Sequence, residues 1–131
     1  MKVCICTTPI RPTPTGFPPF GSMAIIQSLR TIGVDAVFYH LDYYRQSDRQ
    51  IKKYFKENQF DIVGISAVVS TAYKFTKKLV SIVKKAKPDT YTIVGGSLAT
   101  SAKILHKKCF IDFCVFGDGE KIICNLIKLI L

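Results

Sequence analysis

The sequence predicts an α/β protein in which helices cover both faces of a five-stranded, doubly wound parallel sheet. Two observations predict this fold class. Short runs such as "KVCICT" and "DIVGIS" are almost wholly apolar, as strands buried on both faces are. Segments with helical spacing of apolar residues separate these runs, and such an alternation forms a parallel sheet. With 131 residues, 48% of them hydrophobic, the chain is long enough for one domain with a substantial core.

The first third of the chain is predicted to contain two strands joined by a helix. "KVCICT" is the first strand. Met23, Ile26 and Leu29 have helical spacing and predict a helix over residues 22–32, which ends at Gly33. "VDAVFYHL" follows as the second strand.

The rest of the chain alternates in the same way. A helix is expected over residues 46–57, followed by the strand "DIVGIS". A helix over residues 71–86 ends before Pro88, "TYTIVGG" is the fourth strand, and a short helix covers residues 99–106. "IDFCVFG" is the last strand and "EKIICNLIKLIL" the last helix. This order predicts a flavodoxin-like (Rossmann-like) sheet in three layers, as a single domain over residues 1–131 without an internal linker or repeat.

The charge of the chain is strongly positive, at +10 with 19 Lys and Arg residues against nine Asp and Glu. Five of the lysines lie opposite the apolar face of the helix over residues 71–86: Lys74, Lys77, Lys78, Lys84 and Lys85. This pattern is typical of a solvated helix face, and it lacks the exposed aromatic residues of a platform for single-stranded nucleic acid. We therefore do not expect nucleic acid as a partner, whereas an acidic partner or another domain stays open.

The hydropathy of the chain predicts a cytoplasmic protein without a membrane partner. No segment approaches the roughly 20 apolar residues needed to cross a bilayer, and the apolar run in "MKVCICTTPIR" is too short for the core of a signal peptide. The five cysteines form no Cys-x-x-Cys pair. Cys4 and Cys6 alternate within a strand and so face one side of the sheet, where buried thiols are favoured over metal ligands.

The stretch "PIRPTPTGFPPFGS" after the first strand contains five of the six prolines of the chain. Proline fixes φ and donates no backbone hydrogen bond, so this stretch is predicted to be a loop. Long loops in compact domains are usually binding loops or disordered linkers, and the aromatic Phe17 and Phe20 favour a loop that packs on something. A merely rigid connector is the alternative.

Residues suited to ligand binding collect at the predicted carboxyl ends of the strands, which is where ligands of such sheets bind. The proline-rich loop follows the first strand, and the ends of the next strands carry Ser66, Gly95-Gly96-Ser97 and Gly117-Asp118-Gly119-Glu120. Glycine has no side chain, so a ligand can approach the backbone closely. Each glycine alone would indicate only a turn, whereas their coincidence on one rim favours a binding site.

Two ligand chemistries known for such sheets were compared with these strand ends. A phosphorylation receiver needs an acidic cluster, a phosphoacceptor Asp and a Lys, but the corresponding positions hold Thr7 and Thr8, then Ser66, then Asp118. That alternative fails. An FMN-binding flavodoxin-like electron carrier is closer, because "TPTG" resembles a hydroxyl-rich phosphate loop. The prolines that follow lack the N–H donors that a phosphate needs, so FMN binding is kept only as the alternative function.

Four motifs give the chain a resemblance to a known family. "PPFGSMAIIQSLRTIGVDAVFYHLD", "FDIVGISAVVST", "YTIVGGSLAT" and "IDFCVFGDGE" resemble, in order and spacing, the N-terminal cobalamin-binding domain of cobalamin-dependent radical SAM enzymes. The resemblance covers almost the whole chain. Asp118 stands where that family usually has Glu, and the acid is kept.

The resemblance implies a cofactor, cobalamin, and residues that would bind it. The nucleotide tail of cobalamin would enter the carboxyl edge of the sheet, hydrogen-bonded by Ser66 and by Ser70 or Thr71, with Gly95 and Gly96 leaving room. The proline-rich loop would lie against the corrin ring, with Phe17 or Phe20 in apolar contact. The expected cofactor-binding residues are Thr8, Pro9, Phe17, Phe20, Gly21, Ser66, Val68, Ser70, Thr71, Gly95, Gly96, Ser97, Gly117, Asp118, Gly119 and Glu120.

Two motifs of related enzymes are missing from the sequence. Without Asp-x-His-x-x-Gly, no histidine is expected to ligate cobalt, and His40 and His106 are assigned to surface or core packing. Without Cys-x-x-x-Cys-x-x-Cys, S-adenosylmethionine and a 4Fe-4S cluster would belong to a downstream domain. We expect no catalytic or metal-ligating residue in this chain. It would be the N-terminal part of a longer radical SAM methyltransferase. A stand-alone cobalamin carrier is the alternative.

Overall fold

A computed structural model describes residues 1–9, 11–14, 19–67, 72–96, 107–115 and 119–130. The strands are β1 (Val3–Thr7), β2 (Ala36–Tyr39), β3 (Ile62–Ser66), β4 (Tyr91–Gly95) and β5 (Phe113–Cys114). The helices are α1 (Phe20–Thr31), α2 (Leu41–Tyr44), α3 (Asp48–Glu57), α4 (Tyr73–Ala86) and α5 (Gly119–Ile130). All neighbouring strands pair in parallel, in the order β2-β1-β3-β4-β5. This order confirms the predicted flavodoxin-like sheet.

The segment between β2 and β3 holds two helices where the sequence predicts one over residues 46–57. Arg45 ends α2 in the left-handed conformation, with φ 47°. Ser47 then begins α3, because its hydroxyl accepts from the Gln50 amide at 3.2 Å while its own amide donates to the Gln50 side chain at 2.9 Å. This reciprocal cap satisfies two backbone donors at the start of the helix. The other helices begin and end within two residues of their predicted bounds, apart from the one over residues 99–106, which lies outside the described residues.

Alternate residues of each strand enter two separate cores. On one face, which we call the α3/α4 face, Cys4 and Cys6 pack with Phe55 of α3 and Leu79 of α4. On the other, the α1/α5 face, strand residues such as Ile5 pack with helices α1 and α5. Successive side chains of a strand point to opposite faces, so this division follows from the alternation along β1, β3 and β4.

The structure can be compared with the predicted burial of two cysteines and the predicted exposure of the α4 lysines. Cys4 and Cys6 lie on one side of the sheet, fully buried, with their Sγ atoms 3.7 Å apart. No group of three or more metal-binding side chains occurs among the described residues. Lys74, Lys77, Lys78 and Lys85 of α4 are exposed, as expected for its solvated side, whereas Lys84 is half-buried. No helix within the described ranges is long and apolar enough to cross a membrane.

Candidate functional site

A cavity of about 240 Å³ opens at the carboxyl edge of the sheet, between the strands and the first turns of α1 and α5. The lining from the strands and their ends comes mainly from the α1/α5 face: Ile5, Gly64, Ser66, Ile93, Gly95 and Val115. The two helices contribute Gly21, Ser22, Ile25, Gly119, Glu120 and Ile123. The lining is thus apolar and glycine-rich, with a few polar groups at the mouth, which is the usual composition of a ligand site.

The cavity exists because small residues occupy neighbouring positions of two strands, β3 and β4. Gly64 lies between Ile5 and Ile93 in the parallel register, and Ser66 lies beside Gly95. A Cβ atom added at Gly95 would meet no other heavy atom within 4 Å. At Gly64 the same atom would lie 2.8 Å from Cδ1 of Ile5, which already fills that space. Side chains are therefore missing where the sheet meets the helices.

Both helices that border the cavity begin with a glycine in their first two positions. A Cβ at Gly21 of α1 would meet no other atom within 4 Å, whereas one at Gly119 of α5 would lie 3.2 Å from Cδ1 of Ile25. The first turn of α1 contains no acidic residue and no capping side chain, so its amides carry uncompensated partial positive charge. Glu120 offsets the corresponding charge at the start of α5. The α1 side of the cavity mouth is thus more positive than the α5 side.

The structure brings six of the sequence-predicted site residues to this cavity: Gly21, Ser66, Gly95, Gly96, Gly119 and Glu120. Three others are not among its lining residues: Thr8, Pro9 and Phe20. Seven fall outside the described residues: Phe17, Val68, Ser70, Thr71, Ser97, Gly117 and Asp118.

Two of the predicted residues that do not line the cavity lie close to it. Thr8 is 2% exposed, and its hydroxyl donates to the carbonyl of Ser66 at 2.9 Å. This bond ties the start of the proline-rich loop to the end of β3. Phe20, the first residue of α1, is 71% exposed. Its ring therefore lies on the surface next to the mouth.

Sequence reasoning missed the walls of the cavity. Ile5, Ile25 and Ile93 form much of the apolar lining together with Gly64. A signal was present, because strict alternation along "DIVGIS" directs Gly64 and Ser66 to the same face. Which face borders the cavity depends on the helices packed there, and that information is tertiary.

A second missed feature anchors the proline-rich loop. The Arg45 guanidinium donates to the carbonyls of Pro12 at 3.2 Å and Thr13 at 2.9 Å, and to the Asp42 carboxylate at 3.0 Å. The amide of Asp42 in turn donates to the Thr7 hydroxyl at the end of β1, at 3.1 Å. The described part of the loop is thus fixed to the C-terminal end of α2.

His40 has the packing role expected for it. Its Nδ1 lies 2.8 Å from the hydroxyl oxygen of Thr7, and its ring stacks on Phe38 and Tyr43 with centroid distances of 5.1 and 5.8 Å. It does not line the cavity. His106 lies outside the described residues.

A doubly wound parallel sheet with a glycine-lined cavity at its carboxyl edge defines a flavodoxin-like ligand-binding domain. Residues 11–127 match the family model described as the B12 binding domain. The chain belongs to the B12-binding domain family.

Comparison with individual proteins gives related results. An anaerobic magnesium-protoporphyrin IX monomethyl ester cyclase from Rubrivivax gelatinosus is 32% identical over 83 residues, which are 62% of this chain and 15% of the cyclase. The radical S-adenosylmethionine methyltransferase TsrM from Kitasatospora setae, with cobalamin and a 4Fe-4S cluster bound, superposes with a TM-score of 0.82 and 19% identity over 98% of this chain and 24% of TsrM. A cobalamin-binding protein from Desulfitobacterium hafniense gives a TM-score of 0.69 at 20% identity, over 95% of this chain and 57% of that protein.

These comparisons confirm the resemblance stated from the sequence and cobalamin as the cofactor of the family. They favour cobalamin over FMN. At 19% and 20% identity, the likeness to the solved structures shows a shared fold. The chain spans about 15% of the length of the curated cyclase, so the activity of a whole protein is a separate question.

Proposed function

We propose that this chain is the cobalamin-binding module of a radical S-adenosylmethionine enzyme. The observation that carries the proposal is the glycine-lined cavity at the carboxyl edge of a B12-binding domain. The radical SAM association is supported by TsrM, whose structure holds both cobalamin and a 4Fe-4S cluster. The cluster and S-adenosylmethionine would be bound by a barrel domain, downstream in the same chain or in a partner protein.

The cavity fits the nucleotide tail of cobalamin rather than the whole cofactor. Its volume of about 240 Å³ is below the roughly 300 to 1,000 Å³ of pockets that enclose a drug-sized ligand. The open space at Gly21 and Gly95 would receive the tail. Ile25 and Ile93 would contact its planar base, and the Ser66 hydroxyl would donate a hydrogen bond. The corrin ring would remain outside, on the rim.

The proline-rich loop would border the corrin ring. Arg45 holds the carbonyls of Pro12 and Thr13, so this part of the loop is ordered before any ligand arrives. Preorganisation lowers the entropy lost on binding. The exposed ring of Phe20 offers apolar surface next to the same mouth. The loop and the first turn of α1 would together form a platform for a large planar ligand.

We also propose that no histidine of this chain ligates the cobalt. His40 is held by Thr7 and stacked between Phe38 and Tyr43, away from the cavity lining. If the nucleotide base is held in the cavity and no histidine binds the cobalt, electron paramagnetic resonance of the bound cob(II)alamin should lack superhyperfine splitting from a nitrogen ligand. Such splitting, lost on mutation of His40 or His106, would contradict the proposal.

Methyl transfer is the reaction that we propose for the whole protein. Cobalamin, when bound, supplies a cobalt–carbon bond from which a methyl group can be transferred. Support comes from TsrM, which is described as a methyltransferase. The curated relative is named a cyclase, so mass analysis of products is the deciding measurement. A mass increase of one methylene unit in the substrate is expected, and a cyclised product without that increase would rule methyl transfer out.

The tail pocket is tested by Gly95→Val. The new side chain would occupy open space in the cavity, and valine suits a strand, so the domain should fold. We expect cobalamin affinity to fall about tenfold or more, which corresponds to at least about 1.4 kcal/mol. Cobinamide, which lacks the nucleotide tail, should bind as it does to the parent. Titration followed by corrinoid absorbance gives both affinities.

A matched control places valine elsewhere on the same strand. Tyr91→Val changes the far, exposed end of β4 and should leave the preference for cobalamin over cobinamide unchanged. Gly95 is a better test position than Gly96, whose φ of 92° would strain any side chain. A folded Gly95→Val protein that prefers cobalamin as strongly as the parent would show that the tail binds elsewhere.

A further inference from the structure

The outer surface of the α3/α4 face carries a groove with basic rims. The groove encloses about 490 Å³ between α3 and α4. Lys52 and Lys56 line it from α3, and Lys85 lines it from α4. Its floor contains the buried Ile82 and the half-buried Ala86. Lysine ammonium groups thus surround an apolar floor.

A second groove runs along the other side of α4. It encloses about 310 Å³, and Lys77, Lys85 and Lys108 are among the residues that line it. Its apolar wall includes Val80 and Phe110. Lys85 lines both grooves, so the two form one basic surface with α4 as its central ridge. This surface lies across the sheet from the cobalamin cavity.

Most of the positive charge on this surface is uncompensated. Lys78 pairs with Asp48 at 2.8 Å, and Lys84 pairs with Asp112 at 2.7 Å. No ion pair joins any of five other lysines to a carboxylate among the described residues: Lys52, Lys56, Lys77, Lys85 and Lys108. Like charges held close together repel one another, and an anionic partner would relieve that repulsion.

Phe110 stands at the edge of this surface in a conformation that the core does not explain. Its φ is 58°, in the left-handed region that bulky residues rarely adopt, and its side chain is 73% exposed. The backbone is held there by Thr92, whose hydroxyl donates to the Phe110 carbonyl at 3.3 Å. A left-handed conformation costs free energy in a residue other than glycine. Because the ring is exposed, its burial within this chain does not offset that cost.

We propose that this basic surface docks an acidic protein segment whose apolar side chains enter the grooves, with Phe110 as an apolar anchor. Charge complementarity requires an anionic partner, and the apolar floor at Ile82 and Ala86 requires that partner to carry hydrophobic side chains as well. A second copy of the chain does not meet the first requirement, since each copy has a net charge of +10.

The chemistry of the surface favours protein over nucleic acid. Every cation named in the two grooves is a lysine, whereas planar, bidentate recognition of phosphate favours arginine. The Phe75 ring is covered by the Lys78 ammonium, 4.9 Å from its centroid, and is therefore not free to stack on a base. Among the described residues that line the two grooves, Phe110 is the one exposed ring, whereas single-strand binding proteins use several rings to stack successive bases.

The first test uses two fluorescein-labelled 16-residue peptides of equal negative charge. One has leucine at helical spacing between glutamates, and the other has serine in place of leucine. At about 0.15 M salt, the Glu/Leu peptide should bind this chain about tenfold more tightly than the Glu/Ser peptide. Equal affinities would remove the role of the apolar floor and overturn the proposal. Tighter binding of an oligothymidylate of 15 nucleotides would assign the surface to nucleic acid instead.

Matched charge reversals locate the binding surface. Lys52→Glu with Lys56→Glu changes the groove, and Lys121→Glu with Lys128→Glu makes the same charge change on exposed positions of α5. The groove pair should lose about tenfold or more in affinity for the Glu/Leu peptide, and the α5 pair less than about threefold. Equal losses would mean that only net charge matters. The groove pair should keep the cobalamin affinity of the parent, so this test is independent of the cofactor site.

Phe110→Asn separates stability from docking. Asparagine tolerates the left-handed conformation, so the variant should melt at a higher temperature than the parent. Loss of the ring should weaken binding of the Glu/Leu peptide about threefold or more, as expected for an aromatic anchor. A variant that melts higher and binds the peptide as tightly as the parent would remove Phe110 from the docking surface.

Discussion

The two faces of the sheet use the same strands but differ in how far they are filled. At the carboxyl edge, the α3/α4 face presents Cys6, Ile65 and Val94, all at most 2% exposed within a continuous core. One residue along the chain, the α1/α5 face presents Ser66 and Gly95 beside a cavity. Because neighbouring side chains point to opposite faces, a shift of one residue separates a packed core from an open site.

Packing on the α3/α4 face stabilises the fold, and the unfilled α1/α5 face provides the binding site. Aromatic rings crowd the α3/α4 face, where Tyr54, Phe55 and Phe60 have centroid distances of 5.3 to 6.1 Å. The α1/α5 face gives up side-chain volume at Gly64 and Gly95, and each buried methylene would otherwise stabilise by about 0.8 kcal/mol. The stability contributed by the well-packed face thus compensates for the packing that is missing on the open face.

The largest effect is expected from a cavity made on the packed face. Phe55→Ala removes a ring that is 2% exposed and contacts Tyr39, Tyr54 and Phe60. The loss of packing should lower the free energy of unfolding by about 3 to 5 kcal/mol. Urea unfolding followed by circular dichroism measures it. A loss below about 1 kcal/mol would show that this face tolerates voids as well as the other does.

A smaller effect is expected from added volume on the open face. Gly64→Ala would bring a methyl group to 2.8 Å from Cδ1 of Ile5, at the far end of a side chain that borders the cavity. Ile5 can rotate into the open space, so the cost should stay near the lower end of the usual overpacking range, about 1 kcal/mol. Cobalamin affinity should fall, because Ile5 then occupies part of the cavity. Severe destabilisation with unchanged affinity would mean that Ile5 cannot move there.

The smallest effect concerns alkaline pH on the packed face. Burial, and then the nearby Cys6 and Cys4 thiols, raise the pKa of Tyr39 to about 12, from about 10 in the unfolded chain. The folded state therefore holds the proton more strongly, and this contribution to stability is complete below about pH 10 and is lost as the pH rises through about 12. Tyr39→Phe should make the alkaline fall in melting temperature shallower. An unchanged slope would exclude Tyr39 as its source.

Much of the fold was predictable because it depends on local patterns. Apolar runs and helical spacing identified the five strands and their order, and strand ends identified the glycines of the rim. The break at Arg45 was not predictable, since its left-handed conformation accompanies bonds to Pro12 and Thr13, more than 30 residues away. Gly64 was missed for a similar reason, because its importance depends on register with Ile5 and on the helices above it.

The paired thiols of β1 have a consequence for measuring the motion of this protein. Cys4 and Cys6 are fully buried on an inner strand, and the contact with Cys4, together with burial, raises the pKa of the Cys6 thiol well above its ordinary value. Only a thiolate reacts with an alkylating reagent. The half-buried Cys124, on α5, should react first. The slower labelling of Cys4 and Cys6 would then report how often the inner strand opens to solvent, which is among the rarest fluctuations of the sheet.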